Sequence, residues 1–128
     1  MAEPFIFITN HTIKPGRLDD LLERNDQFIA FVRANEPRIL GLHVYLSEDQ
    51  TQLALVQVHP DAESMEHHLS VAGDQIHQAL DVVENQSIQV YGSPASSARR
   101  LLEQIQTAGV GVNVMPHQLR GIAPAALT

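Results

Sequence analysis

Seven histidines stand in this 128-residue chain: His11, His43, His59, His67, His68, His77 and His117. Imidazole changes charge near neutral pH and is a common metal ligand, so proton transfer and metal binding are the chemistries to test first. A metal site on one helix places two histidines four residues apart on a single face. No such pair exists here. His67 and His68 are adjacent and project about 100° apart on a helix. His68 and His77 are nine residues apart and fall on opposite sides of a regular helix. A metal is therefore not expected. The chain has no cysteine, which excludes disulfides, thiolate nucleophiles and Cys-based zinc or iron–sulfur sites. The segment "GVGVNV" (109–114) contains glycines but precedes an apparent strand, so it is not a nucleotide-binding loop.

Side-chain parity on the strands sorts the other candidates. Phe5, Phe7, Thr9 and His11 share one face of the first strand; Ile6, Ile8 and Asn10 share the other. Leu53, Leu55, Gln57 and His59 share a face of the third strand. Polar groups that continue an apolar face are candidates to line a pocket. Thr9, His11, Gln57 and His59 fit that description. The plainer reading is that they sit at strand ends and meet water. His77, in "DQIHQAL", is a fifth candidate, or an ordinary residue flanking the Ile76–Leu80 stripe.

The elements that must position these residues follow from periodicity. Residues 5–13 form a strand rich in Phe, Ile and Thr, closed by "IKPG" (13–16). Leu18, Leu21, Leu22, Phe28, Ile29 and Val32 predict a helix over 17–35, with Asn25 as the one polar member of its stripe. Pro37 stops that helix. Strands are predicted at 41–47 and 52–59, joined by the polar loop "EDQT" (48–51). Asp61 is an N-cap candidate for a second helix. Its stripe is Ala62, Met65, Leu69, Ala72, Ile76, Ala79, Leu80 and Val83, and Gly73 predicts a kink or a break within it. A fourth strand is expected at 87–92.

The order βαββαβ is the split-βαβ, ferredoxin-like plan of an α+β protein, an antiparallel sheet with both helices on one face. After this domain (1–92), residues 93–128 read as an extension. It comprises a helix, with the stripe Ala98, Leu101, Leu102, Ile105, Ala108, then an edge strand at 110–114. Residues 123–128 are expected to be disordered.

"FIFI" (5–8) and "LALV" (53–56) are apolar on both faces, whereas a sheet with one solvated face should alternate. A second layer is needed, most simply another copy of the chain. A homodimer through the sheet face is therefore expected. The net charge is −7, and only Arg99 and Arg100 are adjacent among the basic residues. That argues against nucleic acid. No apolar run approaches the roughly 20 residues of a membrane helix, and the N-terminus lacks the basic region of a signal peptide, so a cytoplasmic location is expected.

The βαββαβ plan, with "IKPG" before the first helix and "HPDAESMEHH" after the third strand, resembles the dimeric α+β barrel superfamily and, within it, the antibiotic-biosynthesis-monooxygenase-like domains. The resemblance spans residues 5–91. It implies a homodimer whose sheets form a barrel, with a pocket between sheet and helices in each subunit. It also implies a cofactor-independent monooxygenase-like activity on a small aromatic or quinone-like compound, in which the substrate becomes a carbanion that itself reduces oxygen. His11, His59 or His77 would then be the base, and Tyr45, Asn10 or Gln57 would hold phenolic oxygens. Heme-degrading members carry an Asn near the end of the first strand, a Trp, and a His on the second helix. Here Thr9 takes the first place, no Trp exists, and only His77 matches, so no heme or other cofactor is expected. The alternative is a non-catalytic dimeric protein that binds a small molecule or serves in interaction.

Overall fold

The computed structural model describes residues 3–122; the expectation for 123–128 lies outside them. The elements are β1 (Phe5–Ile13), α1 (Leu18–Asn35), β2 (Gly41–Leu46), β3 (Gln52–His59), α2 (Ala62–Ala79), β4 (Val83–Tyr91), α3 (Ser96–Thr107) and β5 (Gly111–Met115). The sheet runs β2-β3-β1-β4-β5. Its first four strands are antiparallel, which is the ferredoxin-like arrangement. β5 pairs parallel to β4, making the five-stranded sheet mixed. A parallel neighbour requires a crossover, and α3 supplies it.

Two expectations about α2 and β4 are corrected. α2 runs unbroken through Gly73. It also ends at Ala79, so Val83 is not part of its stripe but the first residue of β4, opposite Ile13. β4 thus starts four residues earlier than its alternation indicates. The cause is a bulge. Asn10 faces Ser87 while the next β1 residue, His11, faces Asn85, leaving Gln86 unmatched. The extra residue shifts the alternation midway, so Val83 and Asn85 share a face with Ile88 and Val90.

One face of the sheet carries the helices. Phe5, Phe7, Met65, Ile88, Val90 and Leu102 form one buried cluster, against which Ile105 of α3 and Val112 of β5 pack. Ile13, Leu21, Leu53, Val82 and Val83 form a second at the other end of the layer. Burying each such side chain is worth roughly 1.5–3 kcal/mol. The opposite face bears Ile6, Ile8, Val56 and Val58, all half-buried, beside Tyr45, which is 59% exposed. Asn10 donates there to Ser87 Oγ at 3.1 Å.

The helices are held by their ends. Asp61 caps α2 by accepting from the Ser64 amide at 2.9 Å, and Arg38 pairs with the same carboxylate. The residue at the N-cap of α3, Ala95, has no capping side chain. Glu66 of α2 substitutes for it, accepting from the Ser97 and Ala98 amides at 3.0 Å each. At the far end of α2, Lys14 donates to Leu80 O at 2.9 Å and Arg24 to Gln78 O at 3.0 Å. Cations are favoured at a helix C-terminus.

Candidate active site

Between the two clusters lies a cavity of about 690 Å³. Its floor is the helix-bearing face of β1, β3 and β4, and α1, α2 and α3 form its sides. The walls are mostly apolar, with Phe7, Phe28 and Phe31 as the aromatic residues. Ligand sites of this kind combine apolar walls with a few placed polar groups.

Those groups can be identified. Four buried side-chain atoms find no hydrogen-bond partner among the described residues: His11 Nδ1, Asn25 Nδ2, His68 Nε2 and Gln75 Oε1. All four residues line this cavity. Buried polar atoms without partners are costly and uncommon, about 1–3 kcal/mol each. The four residues border the same cavity.

His68 is the most elaborated of them. It lies on the inward stripe of α2 with Ser64, Met65 and Ala72, and it is fully buried. Its Nδ1 donates to both Glu36 oxygens at 2.8 Å. Glu36 is itself 3% exposed. Local geometry explains its reach. The residue before Pro37 cannot stay helical, and Glu36 leaves α1 at φ −129°, ψ 74°. A carboxylate on Nδ1 fixes the ring and its tautomer, leaving Nε2 as a lone-pair acceptor. The Phe28 ring meets His68 edge-on, with centroids 5.8 Å apart. The imidazole is thus held by a carboxylate in a buried setting.

The residues singled out from the sequence divide. Thr9, His11, Gln57 and His77 line the cavity. His11 Nε2 lies 2.9 Å from Thr9 Oγ1. Burial pushes the His11 pKa down, and Asn85, opposite it on β4, partly offsets this. His77 is exposed, so it belongs to the rim. His59 is fully buried but does not line the cavity. It stands behind Gln57, bonded to Ser64 Oγ at 2.7 Å and to Gln57 Oε1 at 3.1 Å. Its pKa is lowered to about 4 by burial first, then by His68 and Arg38 against the opposing pull of Asp61. Asn10 and Tyr45 face the other side of the sheet and cannot hold a molecule in this cavity. Among the described residues no three His, Asp or Glu side chains gather as metal ligands, and no helix is long and apolar enough to cross a membrane.

Glu36 and His68 were not among the sequence candidates. The signal for His68 was its place between Met65 and Ala72 on an apolar stripe. Glu36 lies 32 residues away, and only its position before Pro37 hinted at a turned side chain.

No protein-family model and no curated protein matches the sequence. Solved structures do match. MupZ from Pseudomonas fluorescens superimposes with a TM-score of 0.75 at 16% identity, covering 96% of this chain and 97% of that one. SnoaB, a cofactor-independent oxygenase from Streptomyces nogalater, gives a TM-score of 0.61 at 13% identity over 74% of this chain and 97% of its own. A proposed antibiotic biosynthesis monooxygenase from Bacteroides thetaiotaomicron gives 0.59 at 16% identity, over 73% and 89% respectively. The chain therefore shares the ferredoxin-like α+β fold of these solved structures.

Proposed function

We propose that this protein is a cofactor-independent, monooxygenase-like enzyme that uses His68, oriented by Glu36, to remove a proton from a small aromatic or quinone-like compound bound in the cavity. The observation that carries this reading is the buried Glu36–His68 pair, which borders an apolar cavity and leaves His68 Nε2 without a partner among the described residues. An oriented imidazole with a free ring nitrogen is a group that can take a proton from a bound substrate. The proton moves to Nε2 and the electron pair stays on the substrate as a carbanion. Dioxygen takes up that electron density to give a peroxide anion, which recovers the proton from His68. Loss of water from the hydroperoxide, with a second substrate proton, leaves a carbonyl. Thr9, His11, Gln57, Asn25 and Gln75 are proposed to orient the substrate's oxygens, and His77 to border its entry. His59 is proposed to act from behind. The fold shared with the SnoaB oxygenase is in keeping with this activity.

The test separates the two half-reactions. Exchange of acidic C–H for deuterium in an anthrone and quinol panel, followed by NMR without oxygen, reads the base. Oxygen uptake reads the rest. His68→Ala and Glu36→Gln are expected to lower both by about 10²–10⁴-fold, the usual worth of a general base. Wild-type rates equal to the uncatalysed ones would sink the proposal. Binding without exchange would make the protein a carrier or sensor of such compounds.

We also infer a homodimer through the open sheet face, where Ile6, Ile8, Val56 and Val58 await a second layer.

A further inference from the structure

Half of the Gln57 amide is already committed before any ligand arrives. Its Oε1 lies 3.1 Å from His59 Nε2, and His59 Nδ1 lies 2.7 Å from Ser64 Oγ. Gln57, His59 and Ser64 are all buried. The Ser64 hydroxyl has no acceptor but His59 Nδ1 among the described residues, so it donates there. A neutral imidazole that accepts at Nδ1 carries its proton on Nε2. That proton goes to Gln57 Oε1. The opposite assignment would strand both the Ser64 hydroxyl hydrogen and the amide oxygen. The Gln57 NH₂ is then the half turned away from His59. No protein group accepts from it among the described residues, and Gln57 lines the cavity. The His59 and His68 rings lie 6.0 Å apart, so the Gln57 amide and His68 border the same end of that cavity.

We propose that Gln57 donates a hydrogen bond to the substrate oxygen that gains negative charge when His68 takes the proton, and that Ser64 and His59 lock its amide in the donating orientation. The proposal rests on the Glu36–His68 base and names the substrate class it serves. That class is a phenol, or a compound with an acidic C–H beside a carbonyl, whose deprotonation leaves the electron pair on oxygen as a phenolate or enolate. The O–H or C–H proton goes to His68 Nε2, and the new oxyanion meets the Gln57 N–H. A donor fixed in advance where charge develops, away from water, is an effective stabiliser of such an anion. Gln57 touches the substrate; His59 and Ser64 are positioning residues. Burial keeps His59 neutral down to about pH 4, so the lock is closed throughout the neutral range.

The probe is 4-nitrophenol, whose ionised form absorbs visible light. A pH titration of the saturated complex reads the ratio of bound phenolate to bound phenol. Wild type should favour phenolate over free solution. Gln57→Leu, and Gln57→Glu of nearly the same shape, should each cut that ratio by about tenfold or more, as expected for one hydrogen bond to a charged group. His59→Leu should cut it similarly. Gln57→Leu combined with His59→Leu should be no worse than Gln57→Leu alone, because His59 acts through Gln57. Thermal melts verify that each variant is folded. An unchanged ratio in both Gln57 variants, additive His59 and Gln57 effects, or no binding of the probe would overturn the inference. If His68→Ala alters the ratio and the Gln57 variants do not, the base stands and this proposal falls. If none alters it, both fall.

Discussion

At the scale of the residue, burial opposes protonation of His59 and His11. His59 is held at about 4 by burial and by His68, against an ordinary value of 6.5. Between those two pH values the unfolded chain binds a proton that the folded protein refuses. The stability contributed by neutral His59 is complete above pH 6.5 and is lost as the pH falls toward 4, by a total on the order of 3 kcal/mol. Burial lowers His11 as well and adds a loss of the same sign. Urea unfolding at pH 7, 5.5 and 4.5 should show this decline, and His59→Gln should flatten it; a slope unchanged in that variant would refute the assignment. Asp61, lowered chiefly by Arg38, adds its own loss only in the more acidic range. Parity alone placed Thr9, His11 and Gln57 on the face of the sheet that carries the helices, because alternation on a strand is rigid. It could not tell that His59 stands behind Gln57, since depth depends on the helix packed above. Nor could it find the Glu36–His68 pair, which is a contact between two elements and has no local spacing.

At the scale of the element, the order of strands and helices was legible because each carries an unmistakable period. The exceptions have identifiable causes. The bulge at Gln86 disrupts the alternation of β4, and β5 joins as a parallel strand through a pairing that no short motif announces. Two helix features lend themselves to measurement. Gly73 sits in the middle of α2, and a Cβ built there meets nothing within 4 Å. Gly73→Ala should stabilise the protein by about 1 kcal/mol, the ordinary difference in helix propensity. Destabilisation in a thermal melt would mean that α2 needs the glycine's freedom. Glu66 caps α3 from a neighbouring helix. Glu66→Ala should cost about 1 kcal/mol, in line with the loss of a side-chain cap. Hydrogen exchange should quicken first at the Ser97 and Ala98 amides; uniform quickening across the sheet would contradict a local role.

At the scale of the whole molecule, the two faces of the sheet have separate tasks. One carries the helices and the cavity, the other the half-buried aliphatic residues proposed to meet a second copy. Val56→Glu, placed on that second face, should yield a monomer by light scattering at micromolar concentration. A wild-type monomer under the same conditions would refute the dimer. The apolar residues on both faces of β1 and β3 were the sequence's clearest sign of a missing layer, whereas the volume of the cavity depends on how three helices settle and left no trace in any one segment. The bulge at Gln86 has a last consequence for the chain as something that can be lengthened and shortened. His11 faces Asn85 and Asn10 faces Ser87, with Gln86 the extra residue between them. Deleting Gln86 would leave those partners matched and remove only the local bend. The curvature of the wall under Asn85 could then drift by the gain or loss of a single codon, altering what fits beneath the helices without rewiring the sheet.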